Sequence, residues 1–256
     1  MFGGKWQQKR VLIVVRTYPT PAHKGAEASC TAGITDDGEW IRLFPINYRQ
    51  LEPAQQFHKY DWVNVRVMKA SDLRPESYTV DLDSIQVISS VPPKRKWQAR
   101  KEIVLPLEAP SLCWLRRERD EHQQPTLGIF KPREIQRLVI EPDEEDWTEE
   151  EKQKLRQPNL FKQRPLIELK KLPFRFSYQF LCDDESCSGH IHSCTDWELG
   201  WAFIKWREKY GPELWEEKFR EKFERGMIDR DARLYVGTLG SHPHIWITIG
   251  LFYPPL

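Results

Sequence analysis

The alternation of apolar and polar positions in the first third of the chain predicts a series of short β-strands. The run RVLIVVRT, residues 10–17, is β-branched and apolar enough for a buried strand. In DWVNVRVMKA, three valines alternate with Trp, Asn and Arg, which is the period of a half-buried strand. Between these runs, SCTAGITDDGEWIRLFP flanks Asp37 and Gly38, a dipeptide that favours a tight hairpin turn. The segment RPESYTVDLDSIQVIS adds one or two further strands.

These strands precede Pro92 without a long helix between them. Closing such a series into a barrel removes its exposed edges. Residues 1–92 are therefore predicted to form a small OB-like β-barrel, with an SH3-like barrel as the related alternative.

The rest of the chain changes character twice. Residues 93–170 mix basic, proline-containing and helical stretches with one strand-like run, and are interpreted as a connecting region in which Thr148 caps a short helix. Residues 171–256 contain the alternating strand LPFRFSYQFLC, two helical stretches, DWELGWAFIKWREKY and GPELWEEKFREKFERG, and two final strands. The predicted fold class is α+β: an OB-like barrel followed by an α+β module.

Composition excludes several classes of protein. With 30% charged and 12% aromatic residues, the chain resembles an ordinary globular protein and not a disordered one. A formal net charge of +1 gives no overall basic field, so any polyanion site has to be a local patch. No apolar run approaches the roughly 18 residues of a membrane span, and MFGGKWQQKR lacks the features of a signal peptide. A cytoplasmic location without membrane association is expected.

The N-terminal half resembles prokaryotic proteins that contain a dual OB-fold domain. The resemblance rests on CTAGITDDGEWIRLFPI and RPESYTVD, and the matching residues are Cys30, Gly33, Ile34, Gly38, Trp40, Ile41, Arg42, Pro75, Glu76 and Tyr78. The C-terminal half is similar to bacterial proteins that pair a Cys-x4-Cys-x-Gly-His segment with Asp-Trp-Glu and end on Pro-Pro. The resemblance implies the barrel fold, and no activity comes with it.

The densest candidate chemistry lies in FLCDDESCSGHIHSCTDWE, residues 180–198. In a reducing compartment, clustered cysteines favour a metal site or catalysis over disulfides. Cys182, Cys187 and His190 have the spacing of a zinc knuckle, and zinc takes four such ligands. The fourth ligand is open among Cys194, His192 and Cys30. The competing interpretation is a turn with reduced cysteines and an exposed His190.

Asp196 and Glu198 follow the cluster and admit two interpretations. They could serve a catalytic metal site, with His190 as a third catalytic residue. Alternatively, Asp196 caps the helix that begins at DWELGWAF and Glu198 is favoured by the helix dipole. Capping and cysteine-rich ligation both favour a structural zinc.

Two surfaces are candidates for binding nucleic acid. The barrel carries basic and aromatic side chains of the kind that line OB grooves: Arg16, Tyr18, Lys24, Trp40, Arg42 and Arg66. The run PPKRKWQARK holds Lys94, Arg95, Lys96 and Trp97, and could be a phosphate-binding arm or simply a solvated linker.

His242 and His244 flank Pro243 before the last strand and could form a metal-binding or acid–base pair, although a turn with solvent-facing histidines is the stronger expectation. Common phosphate-loop, dinucleotide-binding, nucleophile-elbow and His-Glu-x-x-His motifs are absent from the sequence.

The leading hypothesis is a cytosolic protein that binds or associates with nucleic acid and contains structural zinc. Arg42, Lys94, Arg95, Lys96 and Trp97 would contact the polyanion, and Cys182, Cys187, His190 and Cys194 would hold the metal. Two alternatives stay open: a metal-dependent nuclease or other hydrolase using His190, Asp196 and Glu198, helped by His242 or His244, and a protein–protein adaptor whose tryptophans anchor a partner.

Overall fold

The computed structural model describes residues 4–22, 27–72, 74–156 and 168–256. The strands of this part of the chain are β1 (Gln7–Arg16), β2 (Thr20–Pro21), β3 (Glu27–Thr35), β4 (Trp40–Ile46), β5 (Asp61–Lys69), β6 (Ser77–Ser90), β7 (Glu108–Ala109), β8 (Leu127–Phe130), β9 (Glu134–Pro142), β10 (Phe174–Leu181), β11 (His190–Ser193), β12 (Arg233–Thr238) and β13 (Trp246–Phe252). The α-helices are α1 (Gln98–Val104), α2 (Leu112–His122), α3 (Glu149–Leu155), α4 (Trp197–Arg220) and α5 (Gly226–Ile228). The predicted α+β class is confirmed.

Five N-terminal strands close into a barrel. Their hydrogen-bonded order is β1-β5-β6-β4-β3, and β1 also pairs with β3 to complete the circle. Four of these five junctions are antiparallel, and the junction between β4 and β6 is parallel. The closed barrel predicted from the alternating pattern is therefore confirmed.

Local sequence determines the barrel strands in the expected way. Gly38 adopts a φ of 83°, the conformation required at the turn that joins β3 to β4. The three valines of β5, Val63, Val65 and Val67, are all buried in the barrel interior. Period-two alternation on β5 is confirmed.

The outer surface of the barrel is covered by other residues along β1 and β3. Leu12 of β1 and Ile34 of β3 belong to one buried cluster with Ile129 and Tyr235. These partners lie on β8 and β12, in the four-stranded sheet of order β13-β12-β8-β7. The barrel and the C-terminal region therefore share a core.

A second, three-stranded sheet of order β11-β10-β9 packs against α4. Gly211, with φ 76° and ψ 176°, breaks α4 ahead of Pro212, so the two predicted helical stretches are present end to end. Trp215, Phe219 and Phe223, which are spaced four residues apart in the second helical stretch, are buried. By contrast, Trp201 is 46% exposed, because the first half of α4 buries Leu199 and Phe203 instead.

Residues 93–170 contribute directly to the C-terminal sheets. β9 pairs with β10, β8 pairs with β12, and β7 pairs with β8. Thr148 caps α3 in a reciprocal capping box with Glu151, as the sequence predicts. Residues 157–167 of the predicted connecting region lie outside the described residues, and so does Lys24.

Within the described ranges, no helix combines the length and apolar composition that crossing a membrane requires.

Candidate metal centre

Four side chains from two distant parts of the sequence converge on one point. The ligand atoms of Cys113, Cys182, Cys187 and His190 all lie within 4.8 Å of one another. The Sγ atom of Cys113 is 3.2 Å from Nε2 of His190, although the two residues are 77 positions apart. Sulfur and nitrogen ligands of a tetrahedral zinc ion are separated by about 3.5 to 3.8 Å. The group is therefore the right size to close around one ion, and it could bind a metal.

Regular secondary structure positions each ligand. Cys113 lies in the first turn of α2, which Ser111 caps by accepting a hydrogen bond from the Trp114 N–H at 2.9 Å. Cys182 directly follows β10, and His190 is the first residue of β11. β10 and β11 are antiparallel neighbours, so the hairpin between them carries Cys187 back toward Cys182.

The hairpin turn is shaped by Asp184 and by Gly189. The main-chain carbonyl of Asp184 accepts a hydrogen bond from the Cys187 N–H at 3.0 Å. The side-chain Oδ1 atom of Asp184 accepts one from the Ser186 N–H, also at 3.0 Å. Its Oδ2 atom accepts from Arg117 of α2 at 2.9 Å, and this hydrogen bond lowers the pKa of the carboxyl. Gly189 has a φ of 98°, a conformation that side-chain-bearing residues rarely adopt. Asp184 thus ties the turn to the helix that supplies Cys113.

Backbone N–H groups point at two of the sulfur atoms. The Sγ atom of Cys187 accepts the Cys182 N–H at 3.2 Å. Burial would raise the pKa of Cys187, but hydrogen bonds from the backbone of Cys182 and Gly189 outweigh it and lower the pKa. Cys182 receives similar bonds from Leu112 and Cys113 at the start of α2, yet burial keeps its pKa raised. Such donors stabilise thiolates, the form that binds metal.

The crowding of the thiols itself favours a cation. Burial and the neighbouring Cys182 and Cys187 raise the pKa of Cys113 to about 12. Three thiolates at this distance repel one another unless a positive ion lies among them. Burial, followed by the field of Arg116, lowers the pKa of His190, so its imidazole is neutral, as metal ligation requires.

The structure brings together three of the four predicted ligands and replaces the fourth. Cys194 lies outside the cluster: its thiol is buried in the C-terminal core, and burial keeps its pKa above the usual range. Cys113 takes that place. Cys30 and His192, the other two candidates for the fourth ligand, also lie outside the group. Nothing in the local sequence of α2 marks Cys113, since it has no neighbouring cysteine or histidine.

Asp196 and Glu198 belong to a different constellation. Asp196 caps α4, its Oδ1 atom accepting the Glu198 N–H at 2.7 Å, so the capping interpretation is confirmed. Its Oδ2 atom lies 3.1 Å from Nζ of Lys59. Glu198 accepts from the Tyr253 hydroxyl at 3.3 Å. The three residues of the hydrolase alternative are therefore not assembled at one site, because His190 belongs to the group with Cys113, Cys182 and Cys187, and neither Asp196 nor Glu198 does.

Arg42, predicted to contact a polyanion, is buried. Its side chain is 3% exposed, and its guanidinium donates to the carbonyl oxygens of Thr238 at 3.2 Å and Thr126 at 2.9 Å. Glu76 lies 3.7 Å away. These contacts place Arg42 between the barrel and the four-stranded sheet, where a phosphate cannot reach it.

The basic run has a distinctive conformation. Arg95, Lys96 and Trp97 have φ values of 48°, 52° and 64°, so three consecutive residues are left-handed. Lys94, Arg95 and Lys96 are exposed. Trp97 is partly buried, with ring-centroid distances of 5.6 Å to Phe252 and 5.7 Å to Tyr60. The cations thus project from a turn that Trp97 anchors to the core.

His242 and His244 are exposed, with ring centroids 6.1 Å apart, and His242 contacts the hydroxyl of Ser241. Within the described residues, they join no group of three potential metal ligands.

Two family models match the chain. Residues 108–256 match a family described as "Domain of unknown function (DUF8757)", and residues 7–106 match one described as "Domain of unknown function (DUF8758)". A search of curated proteins finds no match. All four clustered ligands lie within the first of these two regions, and the closed barrel lies within the second.

Proposed function

We propose that this chain, which belongs to the DUF8757 family, is a nucleic-acid-binding protein whose C-terminal region is stabilised by a structural zinc ion. The convergence of Cys113, Cys182, Cys187 and His190 on one point carries the zinc part of the proposal. Three thiolates and one imidazole are a usual donor set for structural zinc and unsuited to the hard cations Mg²⁺ and Ca²⁺.

A structural role follows from the number of ligands. Four protein ligands complete a tetrahedron, whereas a catalytic zinc keeps one position for water. Neither Asp196 nor Glu198 belongs to the cluster, so no general base from that pair is placed beside the ion. When bound, zinc would supply a cross-link between α2 and the β10–β11 hairpin.

Zinc content of the purified protein tests this part directly. We expect one equivalent of zinc per chain by elemental analysis after purification without added metal or affinity-resin metal. Less than a tenth of an equivalent, with no uptake on adding zinc to the reduced protein, would contradict the proposal.

The nucleic-acid part of the proposal begins with an OB-like interpretation of the barrel. Counting its strands along the chain as one to five, the closed order is 1-2-3-5-4, with strands 3 and 5 parallel. OB-folds bind oligonucleotides through the face of their second and third strands. Here, the C-terminal sheet packs on the outer side of β1 and β3, and Arg42 of β4 is buried against it. We therefore place the binding surface elsewhere.

The exposed turn of Lys94, Arg95 and Lys96 supports that placement. Three adjacent cations displace counterions from a nucleic-acid backbone, which is a sequence-independent source of affinity. The anchored Trp97 holds the turn in one conformation, with the Arg100 guanidinium 4.7 Å from its ring centroid. A preformed turn loses less conformational entropy on binding than a mobile arm.

The test measures binding of fluorescent single- and double-stranded oligonucleotides at low salt. A variant with Lys94, Arg95 and Lys96 changed to alanine should bind about tenfold or more weakly. The control changes three exposed cations of the C-terminal helical segment, Lys205, Lys209 and Arg225, to alanine, with an equal loss of charge. Equal affinity of wild type and the first variant would exclude this turn as the binding surface.

A further inference from the structure

A cavity of about 350 Å³ lies between barrel residues around the β3–β4 turn and residues 124–127 of the C-terminal region. We call it the junction cavity. Its lining includes Lys9, Trp40 and Tyr78 from the barrel, together with Gln124 from the segment before β8. Cavities of this size at the junction of two units are common positions for small ligands. The metal centre and the basic turn lie apart from it, since their residues do not line it.

Aromatic side chains held in place form part of the wall. The Trp40 ring contacts Tyr235 edge-on, with centroids 6.2 Å apart and planes at 88°. Lys69 lies 4.6 Å and Lys9 5.9 Å from the centroid of the Tyr78 ring. Lysines thus lie over the Tyr78 ring, whereas the restrained Trp40 ring presents a flat apolar surface, which favours a planar ligand.

Carboxylates outnumber cations around the cavity. Asp37, Glu39 and Glu76 contribute carboxylates, whereas Lys9 is the single cation among the described residues that line it. Glu76 is already engaged, because it accepts from the Thr126 hydroxyl and lies 3.7 Å from Arg42. Asp37 and Glu39 are exposed on the β3–β4 turn and can reach a ligand. A matching ligand is therefore planar and presents N–H donors to these two carboxylates.

We infer that the junction cavity binds a guanine-type ring, presented as a base or nucleoside. Guanine has a ring N–H and an exocyclic amino group side by side, and a carboxylate accepts two such parallel hydrogen bonds. Asp37 or Glu39 supplies that carboxylate, while Trp40 stacks on the ring. The exposed carboxylates of Asp37 and Glu39 would repel the phosphate of a nucleotide bound between them.

Calorimetry with guanosine, inosine and guanosine monophosphate tests the assignment on the full-length protein. Guanosine should bind, and inosine, which lacks the exocyclic amino group, should bind about tenfold more weakly because one charge-assisted hydrogen bond is missing. The monophosphate should also bind more weakly than guanosine. Absence of guanosine binding at millimolar concentration, or equal binding of guanosine and inosine, would overturn the inference.

Variants separate this site from the rest of the protein. The double variant Asp37→Asn, Glu39→Gln should lose guanosine binding about tenfold or more, whereas Asp36→Asn, one position along the same exposed turn and outside the lining, should bind as the wild type does. Guanosine binding should be unchanged in the variant lacking Lys94, Arg95 and Lys96, so failure of this inference and failure of the proposed function are distinguishable. Loss of guanosine affinity in Asp36→Asn equal to that in the double variant would reject the cavity as the site.

Discussion

The Nζ atom of Lys59 lies 3.1 Å from Oδ2 of Asp196, and the two side chains are 8% and 0% exposed. Lys59 precedes β5 of the barrel, whereas Asp196 caps α4. Lys59 also donates to the Leu251 carbonyl on β13 at 3.2 Å. One buried ion pair therefore joins the barrel, the long helix and the last strand.

Replacing Lys59 by methionine should destabilise the protein strongly. Burial alone would lower the pKa of Lys59, but the Asp196 and Glu198 carboxylates raise it, so the ammonium stays charged. Removing it leaves the Asp196 carboxylate buried without its cation, which costs about 3 to 5 kcal/mol of unfolding free energy. Urea unfolding measures the loss. The control is Lys152→Met, whose partner Asp146 is 63% exposed. Similar midpoints for Lys59→Met and wild type would contradict a structural role for the pair.

Cys113 and Cys194 should respond differently to the same substitution. Cys113→Ser removes one of the four clustered ligands, so the protein should lose most of its zinc, and its Tm should fall by about 10 °C. Cys194→Ser changes a buried thiol outside the cluster and should keep one equivalent of zinc. Elemental analysis and thermal unfolding of both variants provide the comparison. Retention of zinc by Cys113→Ser together with loss by Cys194→Ser would reassign the fourth ligand.

Low pH should reduce the folding stability of the protein, in part because Asp231 becomes protonated. Burial would raise the pKa of Asp231, but hydrogen bonds from Lys131 and Arg233 outweigh it and lower the pKa to about 2. The unfolded chain binds that proton near a pH of about 3.9. The contribution of Asp231 to stability is therefore complete above about pH 4 and disappears as the pH falls toward 2.

Urea unfolding between about pH 2 and about pH 5 tests this dependence. The stability difference between wild type and Asp231→Asn should be largest at the upper end of this range and shrink steadily on acidification. Asp36→Asn serves as the exposed control on the β3–β4 turn. A difference that is constant over the whole range would show that Asp231 does not titrate as its contacts imply.

The basic turn should set the salt dependence of nucleic-acid binding. Each phosphate that the protein no longer neutralises reduces the slope of log affinity against log salt by about 0.7 for single strands and about 0.9 for duplexes. Changing Lys94, Arg95 and Lys96 to alanine should therefore flatten the slope by about 2 to 3. The decrease in affinity should be the same for unrelated oligonucleotide sequences. An unchanged slope, with weakened binding to one sequence only, would indicate base recognition instead.

Short-range patterns predicted the elements of this fold better than their arrangement. Alternation identified β5 and β10, and Asp37 with Gly38 identified the β3–β4 hairpin, because each depends on residues adjacent in sequence. Asp196 was recognised as a helix cap for the same reason. The parallel pairing of β4 with β6 joins segments far apart in sequence, and no local pattern records it.

The candidate metal site was also predicted only as far as its residues lie close together in the sequence. Cys182, Cys187 and His190 were predicted together because one short hairpin holds them all. Cys113 was missed because its contact with His190 spans 77 positions. Arg42 was assigned to the surface because arginine on a strand usually faces solvent, whereas a second sheet covers that strand here.

The apolar seam between barrel and C-terminal sheet links the fates of the two halves. Cleaving the chain near residue 107, between the two matched regions, would strip Leu12 and Ile34 of their packing and leave Ile129 and Tyr235 uncovered on the other fragment. Each fragment would then expose an apolar surface patch and would tend to aggregate unless the other fragment covers it. Selection should therefore disfavour a chain that contains only one of the two regions, and the barrel and the C-terminal sheet should be inherited together.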